Sequence, residues 1–271
     1  RMTDARLDMN AVVGSHDLLF ITLDTLRHDV AQACHERGEL PVLGPRLPPG
    51  GWERRHTPGS FTYAAHHAFF AGFLPTPAAP GRHPRLFAAE FEGSATTADT
   101  TFVFPEATLV EALAARGYRT VCIGGVGFFN RRSALSRVLP GLFQESHWSP
   151  PLGVTHRHST ERQVELALRR LAAIEGRVFL FLNVSAIHAP NHIFLDPPPR
   201  RPVDTLASHA AALRYADGAL APLLETCARR APTFAIVCSD HGTLYGEDGL
   251  DGHRLAHPGV WTVPYAHFFL G

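Results

Sequence analysis

Apolar residues along this chain fall into two recurrent patterns. Short continuous runs occur at 18–23 ("LLFITL"), 119–125 ("RTVCIGG"), 177–185 ("RVFLFLNVS") and 233–242 ("TFAIVCSDHG"), each bounded by polar or turn-forming residues. Runs of this length without alternation read as strands covered on both faces, as in a parallel sheet. Between them lie segments with apolar residues at helical spacing. "TLVEALAARGYRT" opens with capping-box spacing at Thr108 and Glu111 and stops at Gly117. "STERQVELALRRLAAIEG" sets Val164, Leu168, Leu171 and Ile174 on one helix face, and a longer helix is expected over 204–230. A short helix is expected from His66, stopped by Gly72 and Pro75.

Residues 41–59, rich in Pro and Gly, read as a loop, and 76–106 as an insertion holding at most a strand or two. Strands alternating with amphipathic helices predict one α/β domain over 1–271, with a mostly parallel central sheet and helices on both faces. In such sheets ligands bind beyond the carboxyl ends of the strands. Those ends carry Asp24, the 124–130 turn "GGVGFFN", the 188–192 stretch "HAPNH" and the 239–242 stretch "SDHG".

Composition narrows the partners. Lys plus Arg equals Asp plus Glu at 25 each, so no basic field points to nucleic acid. No apolar stretch approaches the roughly 20 residues that span a bilayer, and the first residues lack a signal-peptide core. Cys34, Cys122, Cys227 and Cys238 are widely spaced without a CxxC pair, which suits reduced core thiols. The expectation is a cytoplasmic protein with no membrane or nucleic-acid partner. The chain holds 17 histidines, whose positions matter more than their number.

Asp240 and His241 follow directly on an apolar strand, and Asp24 ends another. The plain reading of the first pair is a helix cap and a loop histidine. The chemical reading is a metal site, in which two carboxylates and an imidazole suit Zn²⁺ or Mn²⁺ and the Thr62 oxygen completes the shell. His188 and His192 lie four residues apart, as do His253 and His257. Each pair is either loop surface or part of a second metal site or phosphate clamp. "GGVGFFN" lacks the third glycine of a dinucleotide fingerprint, and the chain has neither a GxxxxGK[ST] loop nor a GxSxG elbow.

In order, "LDTLRHD", "FTYAAHHAFFAGFLP", "TLVEALAARGYRTVCIGG", "HAP", "SDHG" and "GEDGLDGH" resemble the sulfatase-like branch of the alkaline phosphatase superfamily, from about residue 17 to "WTVPYAHFFL". Within it, the chain is most similar to compact cytosolic sulfatase-like hydrolases. The resemblance implies that Asp24, Asp240 and His241 bind the metal that activates the nucleophile. Thr62 takes the place of the residue converted to formylglycine, and His66 that of an arginine, matching the histidine of related phosphodiesterases. His188 resembles the histidine of the His-x-Pro motif, and His253 replaces a lysine on the transferred group. Departures are Thr25 after Asp24, Ala64-Ala65 for Pro-Ser, and "GGVGFFN" for the "GKWH" turn. With His188, His192, His253 and His257, these suggest a second metal in place of fixed positive charge.

Oxidation of threonine gives a ketone and not an aldehyde, which argues against formylglycine chemistry. The expected activity is metal-dependent hydrolysis or phosphoryl-group transfer on a phosphate ester or phosphonate, a phosphodiester before others. It proceeds through a Thr62 alkoxide and a phospho-threonine intermediate. His66, His188 and His257 are the expected substrate contacts, with one or two divalent ions, Zn or Mn ahead of Ca or Mg. The alternatives are a non-catalytic metal- or phosphate-binding partner protein that kept the fold, and a phosphomonoesterase or mutase using the same site. Residues 76–106 and the 141–160 loop are the expected recognition elements.

Overall fold

The computed structural model describes residues 7–72, 85–87, 101–103 and 108–271. Its strands are β1 (Asp17–Leu23), β2 (Glu53–His56), β3 (Arg85–Phe87), β4 (Thr101–Val103), β5 (Arg119–Ile123), β6 (Glu145–His147), β7 (Val178–Val184), β8 (Thr233–Cys238), β9 (Leu244–Tyr245), β10 (Asp251–Gly252) and β11 (Thr262–Leu270). Its helices are α1 (Met9–Val12), α2 (His28–Glu36), α3 (Thr62–Ala71), α4 (Leu109–Ala115), α5 (Ala134–Gly141), α6 (Ser159–Ala173), α7 (Leu206–Arg230) and α8 (Pro258–Trp261).

A seven-stranded sheet runs in the order β2-β11-β8-β1-β7-β5-β6. The five strands from β8 to β6 are parallel, and β11 and β2 close one side antiparallel. The continuous apolar runs follow from this position, because alternate side chains enter two different cores. Leu19, Ile21, Leu23, Leu180, Leu182 and Val237 pack with α2, α6 and α7. Leu18, Phe20, Cys122, Phe179, Phe181 and Phe234 pack on the other face with α3, α4 and α5. The second core is strongly aromatic, as in the edge-on pair of Phe70 and Phe181 with centroids 5.1 Å apart.

The α4 cap forms as its spacing predicts: Thr108 accepts from the Glu111 N–H while Glu111 returns to the Thr108 N–H. The long helix also appears where expected, as α7. Three expectations need correction. The 41–59 segment is not only a loop, since it holds β2, which pairs with β11 at the sheet edge. The helix expected from His66 begins a turn earlier, at Thr62, before ending on the left-handed Gly72 at φ 74°. The 141–160 segment is not a plain loop, since β6 adds a strand to the sheet there. Of the expected 76–106 insertion, β3 and β4 pair in parallel; the rest lies outside the described residues. All four cysteines are free and buried, and no helix among the described residues is long and apolar enough to cross a membrane.

Candidate active site

Three elements meet at the carboxyl ends of the central strands. Asp24 follows β1, Asp240 and His241 follow the neighbouring β8, and Thr62 is the first residue of α3. All four are buried. Donor atoms of Asp24, Asp240 and His241 lie within 4.8 Å of one another, the one group of three or more such residues that close among the described residues. Thr62 Oγ1 sits 3.3 Å from His241 Nε2 and 3.5 Å from Asp24 Oδ2.

Backbone groups fix this cluster. Asp240 Oδ1 accepts from the N–H groups of Thr25 at 3.1 Å and His241 at 3.0 Å. The first of these bonds requires Thr25 at φ 64°, the left-handed region that β-branched residues rarely enter. The ring of His241 donates from Nδ1 to the Gly242 carbonyl at 2.8 Å, which leaves the Nε2 lone pair facing Thr62. Position 242 has room only for glycine: an added Cβ would stand 2.0 Å from the Gly259 carbonyl oxygen.

Electrostatically the cluster is expensive when it holds only these side chains. Burial first, then the nearness of Asp240, pushes Asp24 up to about 7. Burial likewise raises Asp240 to about 6, and it lowers His241. Asp24 Oδ1 and Asp240 Oδ2 have no hydrogen-bond partner. Two buried carboxylate oxygens without donors, beside a neutral imidazole lone pair, fit a divalent cation.

The remaining expected residues divide. His188 and His253 line a cleft of about 360 Å³ that also touches Thr62. The His253 ring lies 4.5 Å from that of His241 and 5.8 Å from that of His188, centroid to centroid. His66 does not face this cleft. It is fully buried, donates from Nδ1 to the Thr62 carbonyl at 2.7 Å and receives the Thr22 hydroxyl at Nε2, 3.0 Å away. One helical turn beyond Thr62, it packs edge-on against Phe129 and Phe181, with its Nδ1 3.6 Å from Asp240 Oδ2. His192 is held by Asp204 at 2.8 Å, and His257 accepts the Gly259 N–H to cap α8 while facing Asp248 at 3.1 Å. The four histidines therefore do not assemble a second metal group: two are occupied by local hydrogen bonds away from the cleft.

Sequence reasoning passed over Asn183, Arg132 and Arg254. Asn183 is a polar interruption in the apolar run of β7, and it donates to Asp24 Oδ2 at 2.9 Å. That interruption was the available signal, since a buried amide in a central strand needs partners. Arg132 and Arg254 line the cleft, and nothing in their sequence surroundings marked them.

Residues 85–266, well over half of the chain, match the sulfatase family. The chain belongs to that family. It thereby falls in the alkaline phosphatase superfamily, whose metal-dependent members are hydrolases or transferases of phosphate or sulfate esters. The family match starts downstream of Asp24 and Thr62, so their part in the site rests on the geometry above. Among solved structures, this sulfatase-family chain is similar to the soluble domain of lipooligosaccharide phosphoethanolamine transferase A from Neisseria meningitidis. The two share 13% identity and a TM-score of 0.63 over 94% of this chain and 77% of that one. The periplasmic domain of EptC from Escherichia coli, in complex with Zn, gives 12% and 0.61 over 94% and 74%. A putative sulfatase from Bacteroides fragilis gives 13% and 0.60 over 94% and 68%. At these identities the likeness is one of fold. Comparison with curated proteins returns no match.

Proposed function

We propose that this family member is a metal-dependent hydrolase or phosphoryl-group transferase for phosphate esters or phosphonates, phosphodiesters above all, with Thr62 as its nucleophile. The observation that carries this reading is the position of Thr62 Oγ1, 3.3 Å from His241 Nε2 and 3.5 Å from Asp24 Oδ2, at the edge of an open cleft. Asp24, Asp240 and His241 would hold the cation, and Zn²⁺ or Mn²⁺ suits that mixed oxygen and nitrogen set. When bound, a divalent ion supplies the positive charge that makes a weakly acidic threonine hydroxyl reactive at neutral pH.

The chain's own residues then divide the work. Thr62 gives up its hydroxyl proton to solvent, and Oγ1 attacks phosphorus in line. The P–O bond to the leaving group breaks on the opposite side, its oxygen takes a proton from solvent, and a phosphothreonine remains. Water or an acceptor alcohol resolves it. Thr62 opens α3, whose first-turn N–H groups lack intrahelical partners and favour an anion at that end. Burial, then the nearby His241 and His188, holds His253 at about 3, so its ring is neutral and offers one N–H to a phosphoryl oxygen. Thr62 cannot yield formylglycine, which sets this reading apart from formylglycine sulfatase chemistry. Four free buried cysteines support placing the activity in a reducing compartment, in line with a cytoplasmic site.

The test is a quenched reaction of Mn²⁺- or Zn²⁺-loaded protein with a bis-aryl phosphodiester, followed by mass spectrometry of the Thr62 peptide. A phosphorylated Thr62 is expected, and Thr62→Ala should lose turnover while keeping its metal content. Full activity of that variant would sink the reading. Absence of turnover with every metal, ester and acceptor alcohol would instead make the protein a binding partner. Faster cleavage of monoesters than of diesters would move it to the phosphomonoesterase class.

A further inference from the structure

Arg132 and Arg254 stand on the wall of the cleft that touches Thr62, whose lining among the described residues contains no Asp or Glu. Several arginines outside the cleft are paired, among them Arg27 with Asp29 and Glu247, Arg170 with Glu145, and Arg230 with Asp17. Neither cleft arginine makes an ion pair among the described residues. Each guanidinium instead rests on an aromatic ring, Arg132 at 4.9 Å from the Trp148 centroid and Arg254 at 5.5 Å from that of Phe61. Stacking of this kind fixes the plane of a guanidinium and leaves its in-plane donors open for a bidentate acid.

Both side chains are carried by constrained backbone. Arg254 holds φ 72° and donates its N–H to the Ser60 carbonyl at 2.9 Å, which ties it to the loop entering α3. Next to Arg132, Arg131 holds φ 61°, and the Arg132 N–H is bound by Asn130 Oδ1 at 2.9 Å. Trp148, the platform under Arg132, donates its indole N–H to Gly125 O at 2.9 Å. Left-handed non-glycine residues are costly and gather at ligand clamps.

Charge balance separates the two arginines. In the complex before attack, with Thr62 still protonated, a divalent ion would offset the Asp24 and Asp240 carboxylates, so a phosphodiester monoanion calls for one further positive charge. Arg254, next to His253 against the His241 ring, lies at that end of the cleft. Arg132 is left over. We propose that the substrate carries a second anionic group, a carboxylate or another phosphate, and that Arg132 is the specificity residue that binds it. The inference rests on the reading of Thr62 and the metal donors as a phosphoryl site.

The experiment measures binding and turnover separately. Mn²⁺-loaded protein is titrated calorimetrically with methylphosphonate monoesters whose alkyl chain ends in a carboxylate, over a series of chain lengths, and with the matching methyl esters. The charged member is expected to bind about 10–100-fold more tightly at one or more lengths. That ratio should fall towards one in Arg132→Ala and be partly kept in Arg132→Lys, which restores charge without the fork. Equal binding of the two members at every length, no binding of either, or an undiminished ratio in Arg132→Ala overturns the inference. Turnover of an uncharged bis-aryl diester is followed in parallel. Turnover without the binding preference removes this inference alone, whereas the preference without turnover of any ester removes the catalytic reading alone.

Discussion

The Asn183 amide donates to Asp24 Oδ2 at 2.9 Å, and its oxygen accepts from the N–H groups of Gly125 at 3.2 Å and Val126 at 3.0 Å. One side chain on β7 thus orients a candidate ligand on β1 and pins the turn after β5. Asn183→Leu should remove both. The expected loss is about 1–3 kcal/mol of stability from the orphaned N–H groups, with metal affinity falling roughly 10–100-fold. Denaturant titration and metal calorimetry on the same samples would check both effects.

Removal of metal should expose the repulsion between the two buried carboxylates. Chelated protein is expected to melt lower, with a difference of about 2.7 kcal/mol regained at a free-ion concentration a hundred times the dissociation constant. Asp24→Asn should raise the stability of the chelated form and lose most of the gain on adding Zn²⁺ or Mn²⁺. Calorimetric melts with and without ion would show this; an unchanged metal response would remove Asp24 from the ligand set.

His209 gives the fold a pH dependence away from the site. It is fully buried, with Nδ1 2.7 Å from the Tyr245 hydroxyl and Nε2 accepting the Arg27 N–H at 3.3 Å. Burial, and then Arg27, lowers it to about 3 from 6.5. The native ring stays neutral while the unfolded one takes up a proton below pH 6.5, so stability is unaffected above that value and lost as pH falls towards 3. The slope is at most about 1.4 kcal/mol per pH unit. Comparing urea midpoints of wild type and His209→Gln between neutral and mildly acidic pH should show a shallower slope in the variant.

His257 and His253 should part company on mutation. His257→Ala removes the acceptor that caps α8 and is expected to cost about 1 kcal/mol while metal content stays at the wild-type level. His253→Ala, in the cleft, should leave the melting temperature nearly unchanged and lower turnover roughly 100-fold. Parallel effects of the two on turnover would restore the second-site expectation.

Much of this architecture was legible in the chain. The unbroken apolar strands announced a sheet buried on both faces, and Asp24, Asp240 and His241 were visible as polar residues at strand ends, where the structure gathers them. What stayed hidden was direction. His66 and His188 look alike in sequence, yet α3 starts at Thr62 and turns His66 beneath it, into the aromatic core. Equal spacing misled for His192 and His257, since Asp204 and Gly259 claim their nitrogens through contacts that spacing does not encode. Arg132 and Arg254 acquire meaning only from the want of carboxylates around them among the described residues.

The bond from Thr25 to Asp240 joins residues 215 positions apart, across the adjacent strands β1 and β8. The donor set is therefore split between the two ends of the chain, and neither half holds it alone. Contacts of such long sequence separation form late, because loop closure must be met before they reward the chain. The cation would then act as a proofreader of assembly, retained only by molecules whose first and last parallel strands have found each other.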